Sequence, residues 1–234
     1  IIDSLDQFDH DPDDDFLAPD LEGLQVMMPY FEEIEVLAAR KVMSEWHGET
    51  TYGTKYGTQK LFMRDFEQFN LMCYVDIFNR DKSQINIIEA KATTSNKYMS
   101  MTYSENRISY PIFETDERGI LHLREERDPS LLENPKYMKK RARLLERFTN
   151  EGVYVYDLAF QRFVIEEDLP NAKYYLGVLN HDYIFDGTYF DGQPVYSNEI
   201  VTFIDFTKIT KELLPQMKND IRLVIDRIKN DDES

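Results

Sequence analysis

The stretch that decides the fold is residues 71–95, LMCYVDIFNRDKSQINIIEAKATTS. Two apolar runs separated by a short polar break predict a pair of β-strands. Side chains alternate along a strand, so Glu89 and Lys91 are expected on one face. Ala90 then points to the other face and offers only its backbone carbonyl to the Glu89 side. Three charged groups, Asp76 among them, therefore fall within two strands that have the composition of a core.

The register of this hairpin determines which charged side chains meet. If residues 81–84 form a four-residue loop, Arg80 pairs with Ile85, and the same register sets Asp76 opposite Glu89. Two carboxylates then lie together beside an ammonium group. Burying such charges costs several kcal/mol each unless they are paired or bind a cation.

A divalent cation would compensate this pair of carboxylates. Asp76, Glu89 and the Ala90 carbonyl supply oxygen ligands of the kind that Mg²⁺ prefers, with positions left for water and a substrate phosphate. Lys91 would orient an attacking water or help to deprotonate it. The structural alternative is that Asp76 and Lys91 form only a buried salt bridge.

Length and composition predict one full domain. The chain has 234 residues, of which 42% are hydrophobic, and no apolar run long enough to span a membrane. We therefore expect a soluble, cytoplasmic protein without a membrane partner. The single cysteine, Cys73, excludes an internal disulfide and an all-cysteine metal site. The first residue is Ile and no secretory signal follows, so we expect a processed or excised piece.

The net charge of −17 is the strongest argument against a nucleic-acid partner. Most of it comes from the two ends, because residues 1–22 carry nine acidic and no basic residues and residues 231–234 carry three more acids. Residues 23–230 then hold 32 acidic and 27 basic residues. We expect an acidic, extended or disordered lead-in at 1–22, a single domain at 23–230 and an acidic tail at 231–234.

The remaining pattern predicts a mixed α/β fold. Apolar spacing favours helices at 31–46, 153–167 and 210–229, and strands at 59–69, 171–179, 181–189 and 201–206. Residues 97–150 interrupt this order, with a helix that starts at Pro129 and restarts at Pro135.

Basic residues concentrate in only one part of this acidic chain. The candidates for nucleic-acid contact there are Lys136, Lys139, Lys140, Arg141 and Arg143. A solvated helix face is the alternative for all five. Thr93 and Ser95, just after the Glu89 strand, are further candidates for phosphate contact, although such a run also ends many strands.

The ordered series of elements resembles the PD-(D/E)XK nuclease superfamily, in its RecB-like branch. The matching residues are Asp76 in YVDIF, Glu89 and Lys91 in EAKATTS, and Gln161 in a helix that contains DLAFQ. The chain is similar, more closely, to the nuclease-like part of a poorly characterised bacterial family. There the helix is followed by a strand and a segment like LNHDY, here residues 179–183. The likeness covers about residues 24–229, with 97–150 as an insertion. It implies that the domain is one part of a longer polypeptide with further domains.

The resemblance implies a restriction-endonuclease-like core, a mixed sheet flanked by helices, and a role for each matching residue. Asp76, Glu89 and the Ala90 carbonyl correspond to metal ligands for Mg²⁺ or Mn²⁺, and Lys91 to the lysine that acts on the attacking water. An acidic residue on the preceding helix completes such sites; Glu35 is our choice, with Glu32 and Glu33 as alternatives.

Gln161 corresponds to the glutamine of the Gln-x-x-x-Tyr motif, but the position of that tyrosine holds Ile165. Substrate contacts made by the tyrosine are therefore not implied for this chain. The structural alternative for Gln161 is a satisfied interior amide.

The expected activity is metal-dependent hydrolysis of phosphodiester bonds in nucleic acid, with DNA favoured over RNA. A nuclease fold used only to bind nucleic acid or protein is the alternative. A third hypothesis is that the acidic lead-in masks the site by mimicking polyphosphate.

Overall fold

The computed structural model describes residues 21–53, 58–82 and 84–232. The strands, in chain order, are β1 (Glu49–Tyr52), β2 (Lys60–Phe66), β3 (Phe69–Val75), β4 (Ile77–Asp81), β5 (Gln84–Thr94), β6 (Thr102–Glu105), β7 (Ile108–Pro111), β8 (Phe113–Thr115), β9 (Leu121–Leu123), β10 (Lys173–Leu179), β11 (Tyr189–Phe190), β12 (Gln193–Pro194) and β13 (Val201–Asp205). The α-helices are α1 (Leu21–Glu45), α2 (Asn96–Met99), α3 (Pro135–Arg141), α4 (Val153–Ile165) and α5 (Thr207–Asp232).

Seven strands form the central sheet, in the order β1-β4-β5-β10-β13-β9-β8. The β5–β10 and β13–β9 pairs are parallel and the other neighbours are antiparallel. Three separate two-stranded ribbons, β2–β3, β6–β7 and β11–β12, accompany it. The expected mixed α/β class, with a central mixed sheet flanked by helices, is confirmed.

The predicted register of the central hairpin is observed. Arg80 lies opposite Ile85, and the ladder continues to Ile77 opposite Ile88. The turn is shorter than the predicted four residues, because Asp81 and Gln84 also pair across the strands. The first predicted strand is split at a bend at residue 76, so that β3 pairs with β2 and β4 joins the main sheet.

The sheet buries apolar side chains on both faces, as its parallel centre requires. α1 covers one face, where the Trp46 ring packs edge-on against Tyr175 and Phe203 with centroids 5.0 and 5.2 Å apart. α4 and α5 contribute to the larger core on the other face. Neighbouring residues of β5 divide between the two, with Ile87 in the core of α4 and α5 and Ile88 in the core of α1.

Two helices are longer than their sequence patterns predicted. α1 begins at Leu21, so that Pro29 lies within it, and α5 contains Pro215. Proline keeps a helical φ, and its missing N–H removes one bond from an otherwise continuous helix. Two residues of the expected lead-in, 21 and 22, are thus helical, as are two residues of the expected tail, 231 and 232. The remainder of both segments lies outside the described residues.

The predicted strand at 181–189 is wrong. Only its last residue, Tyr189, is in a strand, and the rest is irregular. Side-chain turns explain the difference: Asn180 accepts a hydrogen bond from the backbone N–H of Asp182, and Asp186 accepts one from that of Thr188. Such bonds compete with a strand ladder.

The 97–150 segment contributes to the main core. Its strands β8 and β9 extend the central sheet, and Tyr137 of α3 is fully buried. The two prolines start separate helical turns, a 3₁₀ turn at Pro129–Glu133 and α3 at Pro135. Asp128 and Asn134 cap these turns by accepting bonds from backbone N–H groups. Among the helices that the structure describes, none combines the length and apolar character needed to cross a membrane.

Candidate functional site

Asp76 and Glu89 meet at the end of the β4–β5 ladder. Asp76 lies at the bend before β4, and its Oδ2 accepts a hydrogen bond of 2.9 Å from the N–H of Ala90. Its carboxyl group also lies close enough to that of Glu89 for the charge of Glu89 to act on it. Both carboxyl groups are buried. The N–H and C=O of one strand residue point to the same side, so the Ala90 carbonyl is directed toward this pair as well.

Burial and like charge raise the pKa of Asp76 well above its ordinary value. Burial is the largest cause, the charge of Glu89 is the next, and the Ala90 N–H opposes both by favouring the carboxylate. A divalent cation bound between the two carboxyl groups would compensate their burial and their repulsion.

Lys91 lies on the same face of β5 as Glu89, as the strand period predicted. Its Nζ is 3.0 Å from Glu89 Oε1 and 3.4 Å from Oδ2 of Asp157 in α4. Burial lowers the pKa of Lys91, but the charges of Glu89 and Asp157 outweigh burial and raise it above its ordinary value. Lys91 is therefore a cation at neutral pH.

Gln161 reaches the site from α4. Its Nε2 donates a hydrogen bond of 2.5 Å to Glu89 Oε2. Gln161 is buried, and within the described part of the chain its Oε1 has no hydrogen-bond partner. The amide fixes the orientation of Glu89 and leaves a buried acceptor beside it, which a water molecule or a substrate donor could satisfy.

Glu35 is the best placed of the three acidic candidates on α1. Its charge contributes to the raised pKa of Asp76, and its Oε2 atom is buried. Glu33 is exposed, and the side chain of Glu32 lies outside the described residues. The structure thus brings together Asp76, Glu89, Lys91, Gln161 and the Ala90 backbone, with Glu35 close enough to act on Asp76 electrostatically.

Three neighbours of the site were given no role from the sequence. Gln59, just before β2, donates a hydrogen bond of 2.8 Å to Asp76 Oδ1. Asp157 pairs with Lys91, and the ring of Tyr154 lies beneath the same ammonium group at 5.6 Å. The helical spacing of Tyr154, Asp157 and Gln161 was the available signal, because residues three and four apart share one helix face.

The residues predicted to contact nucleic acid fall into two groups. The exposed group comprises Lys136, Lys139 and Lys140 of α3, with the partly exposed Arg143 paired to Glu151. The buried group comprises Arg141, Thr93 and Ser95. Ser95 Oγ accepts a hydrogen bond from the N–H of His181, so this hydroxyl has a structural partner.

Arg141 is inside the protein and bound to two carboxylates. Its guanidinium lies 2.5 Å from Glu125 and 2.6 Å from Glu212, and its side chain is 2% exposed. This arginine therefore stabilises the packing of the 97–150 segment against α5, and nucleic acid cannot reach it in this conformation.

Oxygen donors at the site fit a hard divalent cation. Over the described ranges, no group of three or more Asp, Glu, His or Cys side chains is arranged to hold a metal ion. A cation here would take Asp76 and Glu89 and complete its shell with backbone oxygen, water and substrate, as Mg²⁺ commonly does. The raised pKa of Asp76 and the buried Gln161 oxygen, which has no hydrogen-bond partner among the described residues, support this fit.

Comparison of the chain with protein-family models, curated proteins and solved structures found no match. The resemblance to nucleases thus rests on the residues and on their arrangement at the site.

Proposed function

We propose that this protein is a Mg²⁺- or Mn²⁺-dependent nuclease that hydrolyses phosphodiester bonds, with DNA favoured over RNA. We also propose that its sheet and flanking helices form a restriction-endonuclease-like core. The observation that carries both is the meeting of Asp76 and Glu89 in a buried position, beside Lys91 on the same strand as Glu89. Buried carboxylates that face each other are destabilising by themselves, which favours a functional reason for their position.

Asp76, Glu89 and the Ala90 carbonyl are the proposed metal ligands, and Glu35 adds negative charge from α1. A bound divalent cation supplies Lewis-acid stabilisation of charge on the phosphate. The hydrogen bonds that Asp76 accepts from Ala90 and Gln59 hold its carboxylate in place. Gln161 does the same for Glu89.

Lys91 acts in this proposal as a cation. Its pKa is raised by the neighbouring carboxylates Glu89 and Asp157, which favours the ammonium form. Its ammonium group stabilises the negative charge that develops when water attacks the phosphorus atom. The P–O bond to the attacking water forms as that water releases a proton to solvent, the bond to the departing oxygen breaks, and the departing oxygen takes up a proton from solvent. Asp157 restrains the Lys91 side chain from the helix side.

A cleavage panel tests the proposal. Labelled single- and double-stranded DNA and RNA are incubated with the protein in Mg²⁺, in Mn²⁺ and in chelator. We expect metal-dependent cleavage that falls by roughly 10²-fold or more in Lys91→Ala. Lys211→Ala, at an exposed lysine of α5, is the matched control and should retain activity. Cleavage that persists undiminished in Lys91→Ala or in chelator would show that another site, or a contaminant, is responsible.

A binding module without catalysis is the second candidate. The contacts of Lys91 favour it, since both Glu89 and Asp157 already compensate this charge. In this case Asp76, Glu89 and Lys91 form a structural network, retained in a nuclease-like fold that binds nucleic acid or protein. Calorimetry that detects neither Mg²⁺ nor Mn²⁺ binding, together with no turnover on any nucleic acid, would favour this candidate over the nuclease.

A further inference from the structure

A second lysine lies next to the candidate site. Lys97 belongs to α2, the short helix that directly follows β5. Its Nζ lies 4.5 Å from the centre of the Tyr154 ring, and the Nζ of Lys91 lies 5.6 Å from the same centre. One aromatic ring therefore contacts two ammonium groups, one of which, that of Lys91, is paired with Glu89.

The face of α4 that points to the site is organised in a row. Tyr154, Asp157 and Gln161 follow one another at helical spacing. Gln161 bonds Glu89, Asp157 pairs with Lys91, and the Tyr154 ring contacts Lys91 at its outer end. The row thus runs from the carboxylate pair outward to the ring.

Lys97 occupies the outer end of this row. Lys97 and Tyr154 are both half-buried, whereas Glu89 and Gln161 are buried. A cation over an aromatic ring gains about 0.5–1 kcal/mol where it remains partly exposed. That attraction is weak enough for the ammonium group to engage a phosphate without leaving the ring.

The surrounding charge gives such a lysine a role. Without a bound cation, Asp76, Glu89 and Asp157 create negative potential at the place where a polyanion has to approach, and Lys91 offsets only part of it. A nucleic-acid strand is attracted by local cations, because each neutralised phosphate releases counterions. Lys97 is suitably placed to neutralise a phosphate other than the one beside Lys91.

We propose that Lys97 and Tyr154 form a subsite for a second phosphate of the nucleic-acid strand, next to the phosphate that is cleaved. Lys97 binds the phosphate oxygens, and Tyr154 positions both lysines along the strand. This inference rests on the proposed function and adds how the strand is held. It also assigns strand binding to the end of β5 and the start of α4, apart from the basic segment of α3.

Substrates with one or several phosphates provide the test. A dinucleoside monophosphate contains only the bond that is cleaved, whereas an oligonucleotide also offers neighbouring phosphates. In Lys97→Gln we expect KM for the oligonucleotide to rise roughly tenfold. This factor corresponds to the lower end of the range of free energies for the loss of a hydrogen bond to a charged group. We expect kcat to stay within about twofold, because uniform binding is lost without loss at the reacting phosphate. Cleavage of the dinucleoside monophosphate should not change.

Three further variants separate binding from folding. Lys97→Arg keeps the positive charge and should restore most of the affinity for the oligonucleotide. Tyr154→Leu removes the ring that contacts both lysines, so KM for the oligonucleotide should rise as in Lys97→Gln and, because Lys91 also loses this contact, kcat should fall for both substrates. Lys211→Gln, an exposed lysine of α5, should leave both substrates unaffected. Circular dichroism and thermal midpoints establish that each variant is folded.

The outcomes distinguish the subsite from the nuclease activity. If the wild type cleaves and Lys97→Gln changes both substrates equally, or neither, the subsite is overturned and the nuclease proposal stands. If the wild type cleaves nothing, the nuclease proposal fails, and anisotropy with a labelled oligonucleotide in chelator then decides about the subsite. Loss of one phosphate contact should reduce the slope of log affinity against log salt by about one in Lys97→Gln. An unchanged slope and affinity would overturn the subsite in this case too.

Discussion

Two buried clusters of charge differ in how their charges are balanced. Around Arg141, the Glu125 carboxylate has both Arg141 and Lys208 within 2.7 Å, and Arg141 also reaches Glu212. Two bases therefore meet two acids. Around Asp76, the described contacts bring several carboxylates to a single base, Lys91.

The pKa directions express the same contrast. Burial raises the pKa of Glu125, but Arg141 and Lys208 outweigh burial and lower it below its ordinary value. The pKa of Asp76 is raised instead, because burial and Glu89 act in the same direction. A buried cluster in which acidic and basic groups balance stabilises a fold. A cluster with an excess of carboxylates can instead bind a cation or a substrate. The difference supports the proposed function of the Asp76 cluster.

The largest expected effect is on activity, in Asp76→Asn. We expect cleavage to fall by roughly 10²-fold or more, because one of the two metal-binding carboxylates is lost. The free energy of unfolding should stay the same or rise, since the neutral amide removes repulsion with Glu89 and its oxygen still accepts from Ala90. Initial rates with Mg²⁺ and urea unfolding measure the two effects.

Asp65→Asn, at an exposed position of β2, is the matched control for this variant. A large loss of stability in Asp76→Asn would make the Asp76 cluster structural and remove the contrast with Arg141.

The opposite pattern is expected in Arg141→Ala. This change leaves the fully buried Glu125 with Lys208 as its only cationic neighbour within the described residues, and should destabilise the protein by about 3–5 kcal/mol. Urea unfolding measures this value. The matched control is Arg143→Ala. Arg143 lies three residues before Glu146 and is paired to Glu151 at the surface, so its loss should lower the free energy of unfolding by less than about 1 kcal/mol. If Arg141→Ala is as stable as the wild type yet binds nucleic acid poorly, the assignment of Arg141 to the balanced cluster is wrong.

A divalent cation should stabilise only the unbalanced cluster. At a free concentration of about 100 times the dissociation constant, a bound Mg²⁺ or Mn²⁺ adds about 2.7 kcal/mol to the free energy of unfolding. We expect a corresponding rise in the thermal midpoint of the wild type and of Arg143→Ala. In Glu89→Gln the rise should disappear, because a ligand is lost. An equal rise in Glu89→Gln would place the bound cation elsewhere.

The sequence predicted the centre of the site because local rules determine it. A two-residue period determines which side chains of a strand share a face, and a hairpin determines its own register. The shared face of Glu89 and Lys91 and the pairing partner of Arg80 could therefore be predicted from a short stretch of sequence. The position of Gln161 beside Glu89 was reached through the family resemblance, which supplies the long-range pairing that periodicity lacks.

The surroundings of the site could not be predicted in the same way. Gln59 reaches Asp76 across a bend and Tyr154 reaches Lys97 from another element, and no local period specifies such meetings. Arg141 shows the reverse failure: a run of basic residues predicts a solvated or nucleic-acid-binding face, whereas burial of one member depends on acids 16 and 71 positions away. Composition cannot distinguish a balanced charge from a free one.

In a third cluster, the balance of positive and negative charge depends on pH. His122 Nε2 lies 3.1 Å from Asp116, and its Nδ1 lies 3.5 Å from Glu126 and 3.8 Å from the buried Asp205. The bond to Glu126 is the largest cause of a raised pKa for His122; burial opposes it, and Asp116 and Asp205 add to it. The protonated ring adds one positive charge beside these three carboxylates.

The sign of the pH effect follows from this direction. A folded-state pKa above the unfolded value of about 6.5 contributes stability that is fully present below that value and is lost as pH rises through the folded pKa. Urea unfolding should therefore show the wild type more stable than His122→Gln by about 1 kcal/mol near pH 5.5, with the difference shrinking by pH 9. His181→Gln, at an exposed histidine, is the matched control and should show no such change. A difference between wild type and His122→Gln that is constant with pH would mean that the ring contributes only packing, and that its charge does not balance the surrounding acids.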